Sequence, residues 1–238
     1  MRRVYGVLVL AVLLAGTARA QEPEYHGLCA GVEVHITYDQ YQGKPVPSNG
    51  LIVHTRDSIV LIDTGWGVRN TRKVLRHIKL ASGRPVAACI STHFHDDRTG
   101  GIPVLQRGGV RCIGTAATRD LALQHRKPAP VVIVPEDTTF MIDGVAFAVF
   151  HPGAGHTRDN IVVWLPNAQI LMGGCLVKST ESTDLGHIGD ADLEAWPGTI
   201  RVVQARFPDA RSVISGHGAW GGIELLDHTL HLLDQHGH

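Results

Sequence analysis

Apolar residues recur in short runs along the chain, and these runs predict a protein built largely from strands. Residues 32–38 alternate loosely between apolar and polar side chains. Apolar runs at 51–53 and 59–62 flank a polar turn, which indicates a pair of strands. A further run at 86–90 predicts a buried strand. Residues 40–50 are polar and rich in Gly and Pro, so we expect an exposed, mobile loop there.

Helical spacing follows these strands in both halves of the chain. Asn70 is a suitable N-cap for a helix that ends at Gly83, and a short helix is predicted near residues 102–106. Pro197 suits the first turn of a helix that runs to Phe207. A final helix carries an apolar stripe at Ile223, Leu226, Leu230 and Leu233.

The second half repeats the order of strands and helices found in the first. Its strands are predicted over residues 131–134, 139–142, 145–150, 161–165, 170–172 and 212–214. One more strand of the first half is predicted over residues 110–113. Two such halves predict an α/β fold in which two sheets pack face to face with helices outside, a four-layer αββα sandwich. No linker separates the halves, so residues 21–238 are expected to form one domain.

Composition and charge exclude several functional classes. The chain has 238 residues, of which 44% are hydrophobic and 18% charged, as in an ordinary globular protein. Its 22 basic and 22 acidic residues give a formal net charge of zero. Because no basic stripe stands out, a nucleic-acid partner is disfavoured. A monomer that acts on a small molecule is the simplest expectation.

The first twenty residues have the pattern of an export signal. Arg2 and Arg3 precede an apolar segment, residues 7–15, that is too short to span a bilayer. Ala18-Arg19-Ala20 fits a cleavage site. Thr17 stands where a lipoprotein signal would carry Cys, so no membrane anchor is expected. We therefore predict that residues 1–20 are a cleaved signal peptide and that the mature chain is periplasmic.

Ligand-type side chains follow four of the predicted strands. His93, His95 and Asp97 occupy alternate positions directly after the strand at 86–90. His156, Cys175 and His217 each follow a later strand, and each lies beside glycines that let the backbone turn sharply. Imidazole, thiolate and carboxylate are the ligands that zinc prefers. Each residue alone has an ordinary structural explanation, but six at strand ends predict one metal centre.

Six ligands exceed the four of a closed zinc site. Two ions with three protein ligands each would keep positions open, as catalysis requires. Asp63 and Arg98 are candidates to orient the ligands and to balance the charge of the thiolate. If Cys175 is a ligand, three cysteines remain. Cys89 and Cys112, in consecutive strands, could form a disulfide or stay as buried thiols.

The motifs that carry a family resemblance span the mature chain: Pro47-Ser48-Asn49-Gly50, Leu61-Ile62-Asp63-Thr64, His93-Phe94-His95-Asp96-Asp97-Arg98, Gly155-His156-Thr157, Asp159-Asn160, Gly173-Gly174-Cys175, Gly189-Asp190-Ala191-Asp192, Glu194-Ala195-Trp196-Pro197 and Gly216-His217-Gly218. With them the chain resembles the metallo-beta-lactamase superfamily, and within it the first subclass of class B beta-lactamases. Most superfamily hydrolases carry His at the position of Arg98 and a bridging Asp at that of Cys175.

The resemblance implies two zinc ions, one held by His93, His95 and His156 and the other by Asp97, Cys175 and His217. It implies hydrolysis of the β-lactam amide of penicillins, cephalosporins and carbapenems by a zinc-bound hydroxide, with Asp97 as the catalytic carboxylate, and hence antibiotic resistance. Lys178 matches the lysine that binds the substrate carboxylate. His187 stands where many members have an Asn that donates to substrate oxygens. Tyr41 lies in the segment that matches the family's flap.

Two other functions remain open on the sequence. The chain could be a superfamily hydrolase that acts on a thioester, lactone or phosphodiester, although Arg98 and Cys175 argue against it. It could also be a secreted zinc-binding module without catalytic activity, which would have a closed coordination shell.

Overall fold

The computed structural model describes residues 21–237. The predicted signal peptide, residues 1–20, lies outside the described residues. The elements, in chain order, are β1 Glu24–Cys29, β2 Val32–Tyr41, β3 Lys44–His54, β4 Ile59–Ile62, α1 Gly67–Ala81, β5 Val86–Ile90, α2 Asp96–Thr99, α3 Ile102–Arg107, β6 Arg111–Gly114, α4 Ala116–Gln124, β7 Val132–Ile133, β8 Asp137–Ile142, β9 Val145–Phe150, β10 Val162–Leu165, β11 Ile170–Gly174, α5 Trp196–Arg206, β12 Ser212–Ser215 and α6 Glu224–His236.

Two mixed sheets divide these strands. The first contains β1 to β7 in sequence order, and the second has the order β12-β11-β10-β9-β8. Strands β4 to β7 run parallel, as do β11 and β12, whereas the hairpins are antiparallel. Parallel neighbours bring their carboxyl ends to the same edge of a sheet, and side chains that follow them can therefore meet.

Three apolar clusters hold the layers together. The central cluster joins the inner faces of the two sheets and includes Val34 and Ile62 from the first and Phe147 and Met172 from the second. A second packs α5 and α6 on the outer face of the second sheet, around the fully buried Trp196. A third packs α1 and α3 on the outer face of the first sheet. This confirms the predicted four-layer αββα arrangement.

The predicted loop over residues 40–50 was wrong, because these residues complete a long hairpin between β2 and β3. The turn consists of Gln42 and Gly43, with φ of 50° and 76°, the left-handed pair that a two-residue hairpin turn requires. Strand β4 pairs only with Leu51–His54, so the preceding part of β3 has a free edge. Prolines 45 and 47 fit there, because a missing N–H costs little on an unpaired edge.

Other boundaries also differ from the sequence prediction. Helix α1 begins at Gly67, so Asn70 lies within its first turn, where its side-chain amide donates to the carbonyls of Trp66 and Tyr38. Residues 132–133 were assigned to the second half but pair with β6 in the first sheet. Strand β1 and helix α4 were not predicted. The final helix buries Leu225 and Leu232 beside Leu226 and Leu233, and Ile223 is exposed.

Cys89 and Cys112 face each other in register on the neighbouring strands β5 and β6, and both are free, fully buried thiols. Cys29 is free and exposed. Within residues 21–237, no helix has the length and apolar character needed to cross a membrane.

Candidate metal centre

The six predicted ligands all lie at one edge of the two sheets. His93, His95 and Asp97 follow β5, with Asp97 in the short helix α2. His156 follows β9, Cys175 follows β11 and His217 follows β12. The segment after β5 of the first sheet thus supplies three of the side chains. The segments after three strands of the second sheet supply the other three.

Three imidazoles converge on one point. Nε2 of His93 lies 3.1 Å from Nδ1 of His95, and that Nδ1 lies 3.2 Å from Nε2 of His156. The three atoms lie within 4.8 Å of one another. Such close approach of three ring nitrogens suits one shared cation, because each nitrogen presents a lone pair when the ring is neutral.

A carboxylate, a thiol and an imidazole form a second set beside the first. Sγ of Cys175 lies 3.2 Å from Nε2 of His217 and 3.4 Å from Oδ2 of Asp97. Nε2 of His217 and Oδ2 of Asp97 are themselves 3.4 Å apart. The donor atoms of His93, Asp97 and Cys175 also lie within 4.8 Å of one another, so the two sets adjoin.

Outer contacts decide which ring nitrogen faces each set. Nε2 of His95 lies 2.9 Å from a carboxylate oxygen of Asp190, and Nδ1 of His217 contacts the carbonyl oxygen of Pro47. A carboxylate or carbonyl accepts a hydrogen bond, so each of these nitrogens carries the proton. Nδ1 of His95 and Nε2 of His217 are the nitrogens that face inward, and each presents a lone pair when its ring is neutral. Asp190 and Pro47 were not predicted as site residues, although Asp190 lies in a motif of the family resemblance.

Arg98 is a fully buried cation beneath the second set. Its guanidinium donates to Cys175 Sγ at 3.0 Å and to the carbonyl of Gly216 at 2.8 Å, and it lies 2.9 Å from Asp97 Oδ2. On the other side it pairs with Asp63 at 3.2 Å. Arg98 therefore offsets the negative charge that a thiolate and a carboxylate bring into a buried site.

Asp63 is also fully buried, and it holds the turn that carries the first histidine. Its two oxygens accept hydrogen bonds from the backbone N–H of Thr92 at 2.7 Å and from the Thr92 hydroxyl at 2.9 Å. Burial raises the pKa of Asp63 to about 6, against the opposing effects of Arg98 and the Thr92 donors. Asp63 and Arg98 thus lie directly beside the two donor sets, and their role in orienting the ligands stays a prediction.

The environment favours the metal-binding form of several side chains. Burial holds the pKa of His93 and of His156 well below its usual range, so both rings are neutral at neutral pH. Burial opposes ionisation of Asp97, but the charges of Arg98 and His217 outweigh it and hold the pKa of Asp97 well below its usual range. His217 is the exception, because Cys175 and Asp97 outweigh burial and raise its pKa to about 9, so a bound metal would have to displace the proton from Nε2.

A cavity of about 660 Å³ opens over the two sets, large enough for a drug-sized molecule. Lys178 lines it and is largely buried. Its ammonium lies 5.2 Å from the centre of the Trp196 ring, which also packs edge-on against His156. Among the described residues, no carboxylate forms an ion pair with Lys178, so the ammonium can receive an anionic ligand.

His187 lies on the wall of the same cavity, in the segment between β11 and α5. Its Nε2 lies 3.3 Å from Asp190 Oδ2, the oxygen that also contacts His95. Its Nδ1 lies 3.3 Å from the hydroxyl of Tyr41 at the end of β2. His187 is therefore close to the centre but is bound to protein groups at both nitrogens.

Comparisons with known proteins agree with this geometry. The family model described as the metallo-beta-lactamase superfamily matches residues 43–217. A metallo-beta-lactamase type 2 of Bacillus cereus is 40% identical over 202 residues, which cover 85% of this chain and 79% of that protein. The metallo-beta-lactamase IND-1 of Chryseobacterium indologenes is 33% identical over 99% of this chain and 100% of its own length. The structure of a metallo-beta-lactamase from Pontibacter korlensis superposes with a TM-score of 0.87 at 46% identity, covering 90% of this chain and 99% of that one.

Proposed function

The chain belongs to the metallo-beta-lactamase superfamily, and on that basis we propose that it is a zinc-dependent β-lactamase of the first subclass of class B. It hydrolyses the β-lactam amide bond of penicillins, cephalosporins and carbapenems and so confers antibiotic resistance. The observation that carries this proposal is the convergence of two adjoining three-donor sets, one of which contains Cys175 above the buried Arg98.

Both donor sets fit zinc. His93, His95 and His156 would hold one ion, and Asp97, Cys175 and His217 would hold the other. The inward-facing lone pairs of His95 and His217 are set by Asp190 and Pro47, as metal sites require. Three protein donors per ion leave coordination positions open, which distinguishes a catalytic site from a closed structural one.

When bound, the two ions supply Lewis-acid polarisation of the lactam carbonyl and lower the pKa of water. Asp97 is an ionised acceptor at the junction of the two sets, so it orients the attacking water toward the carbonyl carbon. Arg98 pairs with Asp97 and donates to Cys175 Sγ from beneath the site, without touching the substrate. No side chain forms a covalent intermediate, because the attacking group is a water molecule.

Lys178 binds the carboxylate that these antibiotics carry beside the lactam nitrogen. Its ammonium lines the cavity without an ion-pair partner among the described residues, and an opposite charge in a poorly solvated cleft is strongly attracted. His187 forms part of the wall beside the bound substrate. The mature protein, residues 21–238, acts as one domain and as a monomer in the periplasm, after removal of residues 1–20 and without a membrane anchor.

The test is an assay of the purified mature protein against a chromogenic cephalosporin, one penicillin, one carbapenem and a thioester. We expect hydrolysis of the β-lactams, loss of activity after dialysis against EDTA, and recovery with zinc. Elemental analysis should find close to two zinc ions per chain under excess zinc. Thioester hydrolysis without β-lactam hydrolysis would reject the substrate class, and undiminished activity in EDTA would reject the metal.

A further inference from the structure

The β2–β3 hairpin extends beyond its sheet as a two-stranded ribbon. Strand β1 pairs with β2 only as far as Ile36, and β4 pairs with β3 only from Leu51. A ribbon of two strands is marginally stable by itself. Its base is fixed to the metal centre, because Asn49 N–H donates to the Gly216 carbonyl and the Pro47 carbonyl contacts His217.

Among the described residues, the tip of this ribbon, residues 40–45, has a single side-chain hydrogen bond to a residue outside the β2–β3 hairpin. That bond joins the Tyr41 hydroxyl to Nδ1 of His187 at 3.3 Å, between residues 146 positions apart. The two rings also meet edge-on, with centres 6.3 Å apart. Tyr41 and His187 both line the cavity, so the contact joins two segments of its lining, the end of β2 and the segment between β11 and α5.

Proton positions along this contact follow from its partners. The Asp190 carboxylate accepts from Nε2 of His95 and from Nε2 of His187, so each ring carries its proton there. Nδ1 of His187 is then a bare acceptor, and the Tyr41 hydroxyl must donate to it. A neutral imidazole has one N–H, and Asp190 takes it, so His187 has no donor left for a substrate oxygen in this arrangement.

We propose that Tyr41 and His187 form a latch that holds the ribbon tip against the segment between β11 and α5 and selects against substrates with bulky substituents. His187 is thereby a positioning residue that acts through Tyr41, which is a different role from the substrate-oxygen donor expected from the family resemblance. The selectivity rests on the proposed β-lactamase function, whereas the latch itself does not. A large substituent must displace the tip and break the bond, and a compact substrate enters beneath it.

Tyr41→Phe tests the latch with the least change, since it removes the hydroxyl and keeps the ring. Tyr38→Phe is the matched control, because Tyr38 lies on the same strand and its hydroxyl bonds Glu24 on β1, away from the cavity. Two measurements on zinc-loaded protein are needed: amide hydrogen exchange of the tip, residues 40–45, and steady-state kinetics. The substrates are 6-aminopenicillanic acid, which lacks an acyl side chain, and piperacillin, which has a bulky one.

Loss of one hydrogen bond should raise the opening equilibrium of the tip by about 2- to 10-fold in Tyr41→Phe and leave it unchanged in Tyr38→Phe. The KM for piperacillin should fall by a similar factor relative to the KM for 6-aminopenicillanic acid, with kcat for both substrates little changed. His187→Asn should act in the same direction. The double variant should add little to either single change, because both remove the same bond.

Equal exchange at the tip in Tyr41→Phe, Tyr38→Phe and wild type would overturn the latch. Faster exchange without any change in the ratio of KM values would overturn its role in selectivity. Failure of the β-lactamase proposal gives a different result, namely no hydrolysis of either penicillin by the zinc-loaded wild type. The exchange measurement still decides whether the latch exists in that case.

Discussion

Lys178 illustrates how a single buried cation is kept ready for an anionic ligand. Burial lowers the pKa of its ammonium, and the nearby charge of Cys175 works in the opposite direction. The flat face of Trp196 lies against it and supports the charge without neutralising it, as a carboxylate would. The side chain is therefore positioned by packing, in keeping with the ion pair to substrate that we propose for it.

Lys178→Ala should raise the KM for penicillins and cephalosporins by about 10-fold or more, because a charge-assisted contact to the substrate carboxylate is lost. Zinc content should stay at the wild-type value, since Lys178 contributes no ligand. The comparison variant is Lys79→Ala, an exposed lysine in the last turn of α1. An unchanged KM in Lys178→Ala would remove this residue from substrate binding.

Gly216 marks the closest approach between the turns after β11 and β12. A Cβ atom there would lie 2.6 Å from both the backbone nitrogen and Sγ of Cys175, and 2.8 Å from the Arg98 guanidinium. Cys175 belongs to the second donor set, and Arg98 donates a hydrogen bond to its Sγ. The sequence predicted glycines as turn residues at this edge, but it could not indicate that one of them makes room for Cys175 and Arg98.

Gly216→Ala should therefore displace Cys175 and Arg98 and lose about half of the bound zinc, from the set that contains the thiolate. Zinc per chain after gel filtration in metal-free buffer measures this loss. Gly198→Ala is the control, because a Cβ at that position in α5 meets nothing within 4 Å. That variant should keep its zinc and gain up to about 1 kcal/mol in stability from helix propensity. Full zinc retention in Gly216→Ala would contradict this account.

Among single residues, the types and spacing of the six donors were enough to predict that they meet at one edge. Two features depended on tertiary contacts and could not be predicted. One is the choice of ring nitrogen in His95 and His217, which is set by Asp190 and by a backbone carbonyl 170 positions away from His217. The other is the bonding of His187 at both nitrogens, which requires Tyr41 from the opposite half of the chain.

At the scale of elements, buried strands with continuous apolar runs were predicted well because burial on both faces leaves a strong pattern. The β2–β3 ribbon was missed for a physical reason. Its free edge tolerates Pro45 and Pro47, and its two-residue turn uses Gly43, so its composition resembles that of a loop. Strand β1 was also missed, since it is mostly exposed and carries little apolar periodicity.

A carboxylate shared by two histidines links three elements on the far side of the first sheet. Glu33 on β2 lies 2.7 Å from Nε2 of His54 on β3 and 3.2 Å from Nε2 of His77 on α1. Burial would raise the pKa of Glu33, but the hydrogen bonds from both histidines outweigh it and lower the pKa. A lowered pKa in the folded state means that the ionised carboxylate stabilises the fold.

Glu33→Gln should lower the free energy of unfolding by about 1 kcal/mol at neutral pH. The sign of the pH dependence follows from the lowered pKa. The difference between wild type and variant is fully present above the unfolded-state pKa near 4.5 and shrinks as the pH falls through the folded-state value. Denaturant unfolding at several pH values measures it, with the exposed Glu194→Gln as control. A difference that grew on acidification would contradict the assignment.

At the scale of the whole molecule, neither half of the chain completes a donor set. The first set takes His93 and His95 from one half and His156 from the other, and the second takes Asp97 from the first half and Cys175 and His217 from the second. The sequence predicted both the four layers and the edge of the sheets at which the six donor side chains lie. It placed residues 132–133 in the wrong sheet, because strand pairing is not encoded by local pattern.

Because each ion would tie one sheet to the other, removal of metal should lower the thermal stability of the whole domain. At zinc concentrations about 100-fold above the dissociation constant, the gain is about 2.7 kcal/mol per independent site. EDTA should therefore lower the Tm, and zinc should restore it, in differential scanning calorimetry. EDTA saturated beforehand with zinc is the control. A Tm that does not respond to chelator would show that metal binding does not stabilise the docking of the two sheets.

The two buried thiols of Cys89 and Cys112 should report on unfolding of the protein. Burial raises the pKa of both, to about 11 for Cys112, so the reactive thiolate is scarce, and the sealed first sheet excludes alkylating reagents. Cys29, which is exposed, should be alkylated first and serve as an internal reference, and Cys175 must be followed separately because it lines the cavity. Peptide-resolved mass spectrometry of iodoacetamide-treated protein should then show a slow, concerted modification of Cys89 and Cys112 at the rate of global opening, and separate rates for the two would reveal partial unfolding at β6.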